Sequence, residues 1–293
     1  MFRGLLGRRG ALFAALAVLA TAVLAAGCEP SASGSDPAGE PESPSSAAPP
    51  KAQVTLGPGV DWRTWAESGR EALARDNPAL FQELSAMKPA TTRGGHLRFL
   101  STALARPEAA PWLVARLAAR SDPAPVRRAL AEALPFTKGP FAEAVGDLLA
   151  AEPSPEVRAE LAATLEHAPP GISPGAMRSA LLDPDETVRA RALYTVASRS
   201  DGASYSDMIT RALGQPEPGP KAAAIHACGV LRLTVAKPAL DALVRGQGDH
   251  RAAALLALHR IDPEGARARS DLDALAADPA LVHAVARIRG GAP

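Results

Sequence analysis

Two cysteines and six histidines are the residues of this 293-residue chain best suited to nucleophilic or metal chemistry. Their spacing supports neither. No two of His96, His167, His226, His250, His259 and His283 stand three or four residues apart, the separation that puts two imidazoles on one helical face as a ligand pair. His250 and His259 are nine residues apart, about 900° of helical rotation, and so point to opposite sides. Scattered surface or interface histidines are expected. Cys228 has His226 two residues away, but such neighbours do not face each other on a helix. The sequence has no Gly-rich phosphate loop, no Gly-x-Ser-x-Gly elbow and no paired-cysteine metal motif. No catalytic residue, metal ligand or cofactor is expected, and no small-molecule substrate is evident.

A third pattern is a periodic base. Arg98, Arg127, Arg158, Arg189, Lys221, Arg251 and, with a histidine in the last place, His283 follow one another at steps of 29, 31, 31, 32, 30 and 32 residues. Such a ladder could be a stripe for acidic groups. Acids recur just ahead of the bases, at Asp122, Glu152, Asp183, Glu217, Asp249 and Asp278. An internal ladder, each base bridging to an acid in its own or the adjoining turn, is therefore the expected arrangement.

The elements that position these bases follow from the residues around them. One place before the base stand Leu97, Val126, Val157, Val188, Pro220, His250 and Val282. Three places after it stand Ser101, Leu130, Leu161, Ala192, Ala224, Ala254 and Ala286, and seven places after it Ala105, Leu134, Leu165, Val196, Cys228, Leu258 and Gly290. These offsets share one helical face, so each base opens an amphipathic helix. Cys228 is thereby a core residue in the place of a leucine. Pro123, Pro125, Pro155, Pro184, Pro218 and Pro279 suit first turns, with Asp122, Ser154, Asp183, Asp249 and Asp278 as expected N-caps. A second apolar stretch precedes each helix: 111–119, 141–151, 174–182, 205–213, 238–244 and 271–277. Each unit is two short helices in about 31 residues, which close a core only by stacking. Aromatic residues are 4% of the chain, too few for a strand-rich fold, so an all-α array is expected.

The units beginning Asp122–Arg127, Pro153–Arg158 and Asp183–Arg189 resemble HEAT repeats of the short bacterial form. The resemblance covers about residues 93–289, within an array expected over 93–293, and implies a right-handed α-solenoid whose second helices line the concave side. It weakens at Lys221, where Pro220 replaces a valine, and at His283. Residues 61–92 are expected to cap the array, with Trp62, Trp65, Ala66, Gly69, Ala72 and Leu73 as an apolar stripe. Trp62 and Trp65 are expected to pack on the first repeat rather than stand out as partner anchors.

Residues 1–27 read as an export signal. Arg3, Arg8 and Arg9 precede an uncharged stretch over 11–26, too short for a spanning helix of about 20 residues. Leu24, Ala25, Ala26, Gly27 and Cys28 resemble a bacterial lipobox, with Ala25 where leucine is usual. That resemblance implies lipidation of Cys28; an ordinary cysteine beside a cleaved signal is the plainer alternative. The flanks of Arg8 and Arg9 fit twin-arginine export poorly. Residues 28–60 read as a disordered Pro/Ser/Ala linker, since 29–50 holds six prolines, six serines and no Val, Leu, Ile or aromatic residue. With Cys28 acylated, Cys228 has no disulfide partner.

The net charge is +1, and without the three leader arginines the remainder is slightly acidic, so no field for nucleic acid is expected. These features predict a membrane-tethered scaffold or adaptor for a protein partner in the bacterial cell envelope. Glu29 after Cys28 implies the periplasmic side of the outer membrane if the source is Gram-negative. An accessory or catalytic protein related to HEAT-like lyases is the alternative, and a plain spacer a third reading.

Overall fold

The computed structural model describes residues 56, 59–86, 108–137, 140–171 and 173–290. The chain divides into residues 1–50 and 51–293, and every described residue belongs to the second unit. The leader, Cys28, nearly all of the linker, and the first base Arg98 with Leu97, Ser101, Ala105 and His96 lie outside the described residues.

Among the described residues the structure is entirely helical. Two helices come first, α1 (Trp62–Asp76) and α2 (Pro78–Ala86). Asp61 starts α1 by accepting the Thr64 N–H at 3.0 Å, and Asn77 starts α2 by accepting that of Leu80 at 3.2 Å. Trp62, Ala66 and Leu73 are buried along α1, so the expected stripe is the packed face. Gly69 belongs to that face for a steric reason. A Cβ there would lie 2.4 Å from Cβ of Pro111, so only glycine lets α1 lie this close to the next helix.

Five helix pairs follow. They are α3 (Ala109–Ala119) with α4 (Ala124–Ala133), α5 (Ala142–Ala151) with α6 (Pro155–Thr164), and α7 (Pro174–Leu181) with α8 (Glu186–Ser198). Then come α9 (Ser206–Ala212) with α10 (Pro218–Val230), and α11 (Lys237–Arg245) with α12 (Arg251–Ile261). The first helices match the expected apolar stretches to within two residues at each end. Every first helix packs on its own second helix, and the second helices pack in order, α4 on α6, α6 on α8, α8 on α10, α10 on α12. Val126, Leu130, Leu134, Val157, Leu161, Leu165, Val188, Ala192 and Val196 are all buried at this seam. α1 lies along α3 at the N-terminal end. No described helix is long and apolar enough to cross a membrane.

Three expectations need correction. Asp122, Asp183 and Asp249 are not N-caps. Pro123, Asp185 and His250 hold those positions, and Asp185 alone of the three caps with its side chain, accepting from the Thr187 and Val188 N–H groups. Asp122 and Asp183 stand earlier because guanidinium groups claim their carboxylates. Ser154 does hold the N-cap of α6, through its backbone alone.

The last unit is also out of register. After α12 the chain forms α13 (Pro263–Arg267), α14 (Leu272–Ala276) and α15 (Val282–Gly290). The helix α13 had no signal in the periodicity; Asp262 caps it by accepting the Gly265 N–H. In α15 the expected core positions Ala286 and Gly290 are exposed, while Leu281, Val285 and Ile288 are buried around it. Asp278 is likewise not the N-cap expected of it: it stands four residues before α15 begins, and its carboxylate accepts the Ala280 N–H at 2.9 Å. His283 is exposed, and the series of bases ends at Arg251.

Candidate functional site: the second-helix face and the base ladder

The ladder lies inside the stack. Arg127, on α4, donates from Nε and Nη2 to both oxygens of Glu152 at 2.8 and 2.7 Å, 25 residues away in the turn between the two helices of the next pair. Its Nη1 donates to the carbonyl of Asp122 in its own turn. Arg158 repeats the arrangement, reaching Asp183 at 2.8 and 2.9 Å and the carbonyls of Glu152 and Pro153 at 3.1 and 3.0 Å. Arg189 takes the carbonyls of Asp183 and Pro184 behind it and Gln215 and Glu217 ahead. Arg251 pairs with Asp278. Lys221 has no ion pair among the described residues, which fits the weaker repeat signature around Pro220.

The acids serve two partners at once. Glu152 accepts the Ser154 N–H at 2.9 Å while holding Arg127, and Asp183 accepts the Asp185 N–H at 2.9 Å while holding Arg158. Burial pushes the Glu152 carboxyl up, but the hydrogen bonds from Arg127 and Ser154 more than offset this and hold it below the ordinary glutamate value. The hydrogen bond to Glu152 raises the Arg127 guanidinium further. The charges of Arg127, Arg158, Arg189 and Arg251 are thus committed to partners inside the stack.

Opposite the seam, the second helices show a different face. Arg128 on α4, Glu160 on α6 and Arg191 on α8 form a row, with Glu160 3.7 Å from each arginine. The row continues into Tyr194 on α8 and His226 on α10, whose ring centroids are 5.4 Å apart. Tyr194 and Val230 are both 45% exposed. Burial and, secondarily, the Arg260 charge lower the His226 pKa. Side chains from four consecutive second helices thus share one exposed surface.

The remaining expected residues fall apart spatially. His167 is exposed, His250 half-buried and His259 buried with Nδ1 lacking a hydrogen-bond partner. Among the described residues no three His, Cys, Asp or Glu side chains converge as a metal site would require. Cys228 is fully buried, and burial pushes its thiol up to about 12, which leaves no thiolate for nucleophilic attack at neutral pH.

One feature has no counterpart among the expected sites: a cleft of about 520 Å³ between α1, α2 and α3. Trp62, Phe81 and Trp112 line it together with Arg63, Arg70 and Arg116. The signal for it was the recurrence of arginine one or four places after a tryptophan, at Trp62 with Arg63 and Trp112 with Arg116. Spacing alone does not bring these pairs together, because the helices that carry them meet only in the folded chain.

No protein-family model matches this sequence, and no curated protein resembles it at a significant level.

Proposed function

We propose that this chain is a lipid-tethered helical-repeat adaptor that holds a protein partner in the bacterial cell envelope. In this reading residues 1–27 direct export, Cys28 carries the lipid, residues 28–60 form a stalk, and the HEAT-like array presents its second helices to the partner. The observation that carries the reading is the shared outer face of the second helices, where Arg128, Arg191, Tyr194, His226 and Val230 lie on successive elements. Stacked repeats offer such extended surfaces, on which a few aromatic and arginine anchors dominate binding. Four bases of the ladder, Arg127, Arg158, Arg189 and Arg251, are spent on internal pairs and do not compete as an anion-binding row.

The test is a photo-crosslinking residue placed at Tyr194 or Val230 in cells. Each position should trap the same discrete envelope protein. The same residue at Asp207, exposed on the first helix α9, should trap none. Absence of any adduct at both second-helix positions overturns the adaptor reading.

A further inference from the structure

The cleft between α1, α2 and α3 lies away from the second-helix face and makes an independent case. Its floor is apolar. Ala66 is buried, Ala115 and Ala118 are half-buried, and the rings of Trp62, Trp112 and Phe81 stand around them. In a chain only 4% aromatic, three aromatic side chains share one cleft. Its volume is in the range of sites that enclose a small molecule or a single side chain with its termini.

The rim is cationic, with Arg63, Arg70 and Arg116 against the single carboxylate of Glu67. Two of these guanidiniums lie against indoles and have acidic partners. Arg63 lies 4.5 Å over the Trp62 ring, and its Nη2 donates to Asp147 at 2.7 Å. Arg116 lies 5.0 Å from the Trp112 ring and donates to both oxygens of Asp122 and to the carbonyl of Leu84. Their charges are largely met, and they act as walls. Arg70 differs, since it has no ion pair among the described residues and is exposed at the mouth. A guanidinium with its planar fork of donors free is suited to a carboxylate.

An apolar floor lined by aromatic side chains, with one guanidinium without an ion pair beside it, suits a ligand with an aromatic ring and a carboxylate a few bonds away. Rings pack edge-to-face or offset against indoles, and the carboxylate meets Arg70. We propose that this cleft binds an aromatic carboxylate, supplied either as a free small acid or as the C-terminal residue of a peptide.

The cleft carries its own reporter. Trp62, Trp65 and Trp112 are the three tryptophans of the chain, and two of them line the site. The full-length protein is titrated with N-acetyl-L-phenylalaninate and with the corresponding amide, and with a short peptide ending in phenylalanine, free and amidated. The proposal expects a saturable change in tryptophan emission and at least about tenfold weaker binding of each amide, since the charge-assisted bond is lost. Arg70→Gln should remove that preference. Ala119→Phe, at an exposed position on the rim, should block binding with the helical circular dichroism unchanged. Equal affinity for acid and peptide identifies the free acid as sufficient, and tighter binding of the peptide identifies a chain terminus; both support the site. No saturation with any probe up to about 10 mM, a ceiling near the weakest specific binding, overturns the proposal. So does equal binding of acid and amide, or an unchanged preference in Arg70→Gln.

Discussion

A buried arginine is costly unless its donors are met, and Arg127 shows how this chain meets them. Its Nε and Nη2 donate to the two oxygens of Glu152 and its Nη1 to the carbonyl of Asp122, and the Glu152 carboxylate in turn receives the Ser154 N–H. Removing one partner of such a pair costs about 3–5 kcal/mol, because the other charge stays buried. Glu152→Ala should therefore destabilise the protein by that order in chemical denaturation, while a double replacement of Arg127 and Glu152 by leucine and methionine should lose far less. The pH dependence has a definite sign. The folded-state pKa of Glu152 is lowered, so its contribution is present above the ordinary glutamate value and is lost as pH falls through the folded value, beginning near pH ~4. Glu152→Gln should flatten this part of the acid limb of the stability profile. An acid limb identical to that of the parent protein would show that the pair contributes nothing. At Cys228 the prediction runs to inertness. The native protein should resist thiol reagents until it unfolds, since the sulfur is fully buried and its pKa raised. Rapid labelling under native conditions would restore the nucleophile hypothesis.

At the scale of the element, the second helices were legible because three offsets from a base had to be apolar together, and one buried face satisfied all three. Leu161 and Leu165 illustrate this. Both are 1% exposed, one at each of the later offsets, in the interior of the stack. Each truncation to alanine should cost about 2–5 kcal/mol, read as a shift of the denaturation midpoint; losses below ~0.5 kcal/mol for both would mean that the seam is misassigned. What could not be read was the allocation of acids. Asp183 has the sequence context of an N-cap, yet its carboxylate belongs to Arg158 in the pair before it, a contact across 25 residues that exists only once the pairs stack. The cap passes to Asp185 two places on. The last helix likewise departs from the period of the bases. Histidine at 283 extended the period of bases numerically, but the aliphatic spacing of Leu281, Val285 and Ile288 decides which side is buried, and hydrophobic burial outweighs one exposed imidazole.

On the scale of the molecule, pairs joined by nearest-neighbour contacts and forward-reaching arginines share stability in a chain-like way. Loss of a neighbour strips both an apolar face and an ion-pair partner from the unit that remains. Ending the chain after Leu213 would remove α10, on which α8 packs, together with Gln215 and Glu217, which hold Arg189. The truncated protein should keep helical circular dichroism from its earlier pairs but melt at lower temperature. It should also lose crosslinking from Tyr194, since His226 and Val230 leave with α10. An enzyme is expected to respond otherwise: one acid, base or nucleophile changed to alanine costs orders of magnitude in rate and leaves binding nearly intact. Alanine replacements at His226, His259 and Cys228 therefore separate the two classes, with graded losses of capture expected for an adaptor. The proposed tether is tested apart from the array. Cys28→Ser should abolish fatty-acid labelling and release the protein from membranes, because a thioether-linked lipid needs that sulfur. If label persists in Cys28→Ser, the anchor lies elsewhere. If release occurs while the crosslink from Tyr194 survives in the soluble fraction, the array holds its partner without the membrane, and the stalk serves only to set where in the envelope that complex is kept.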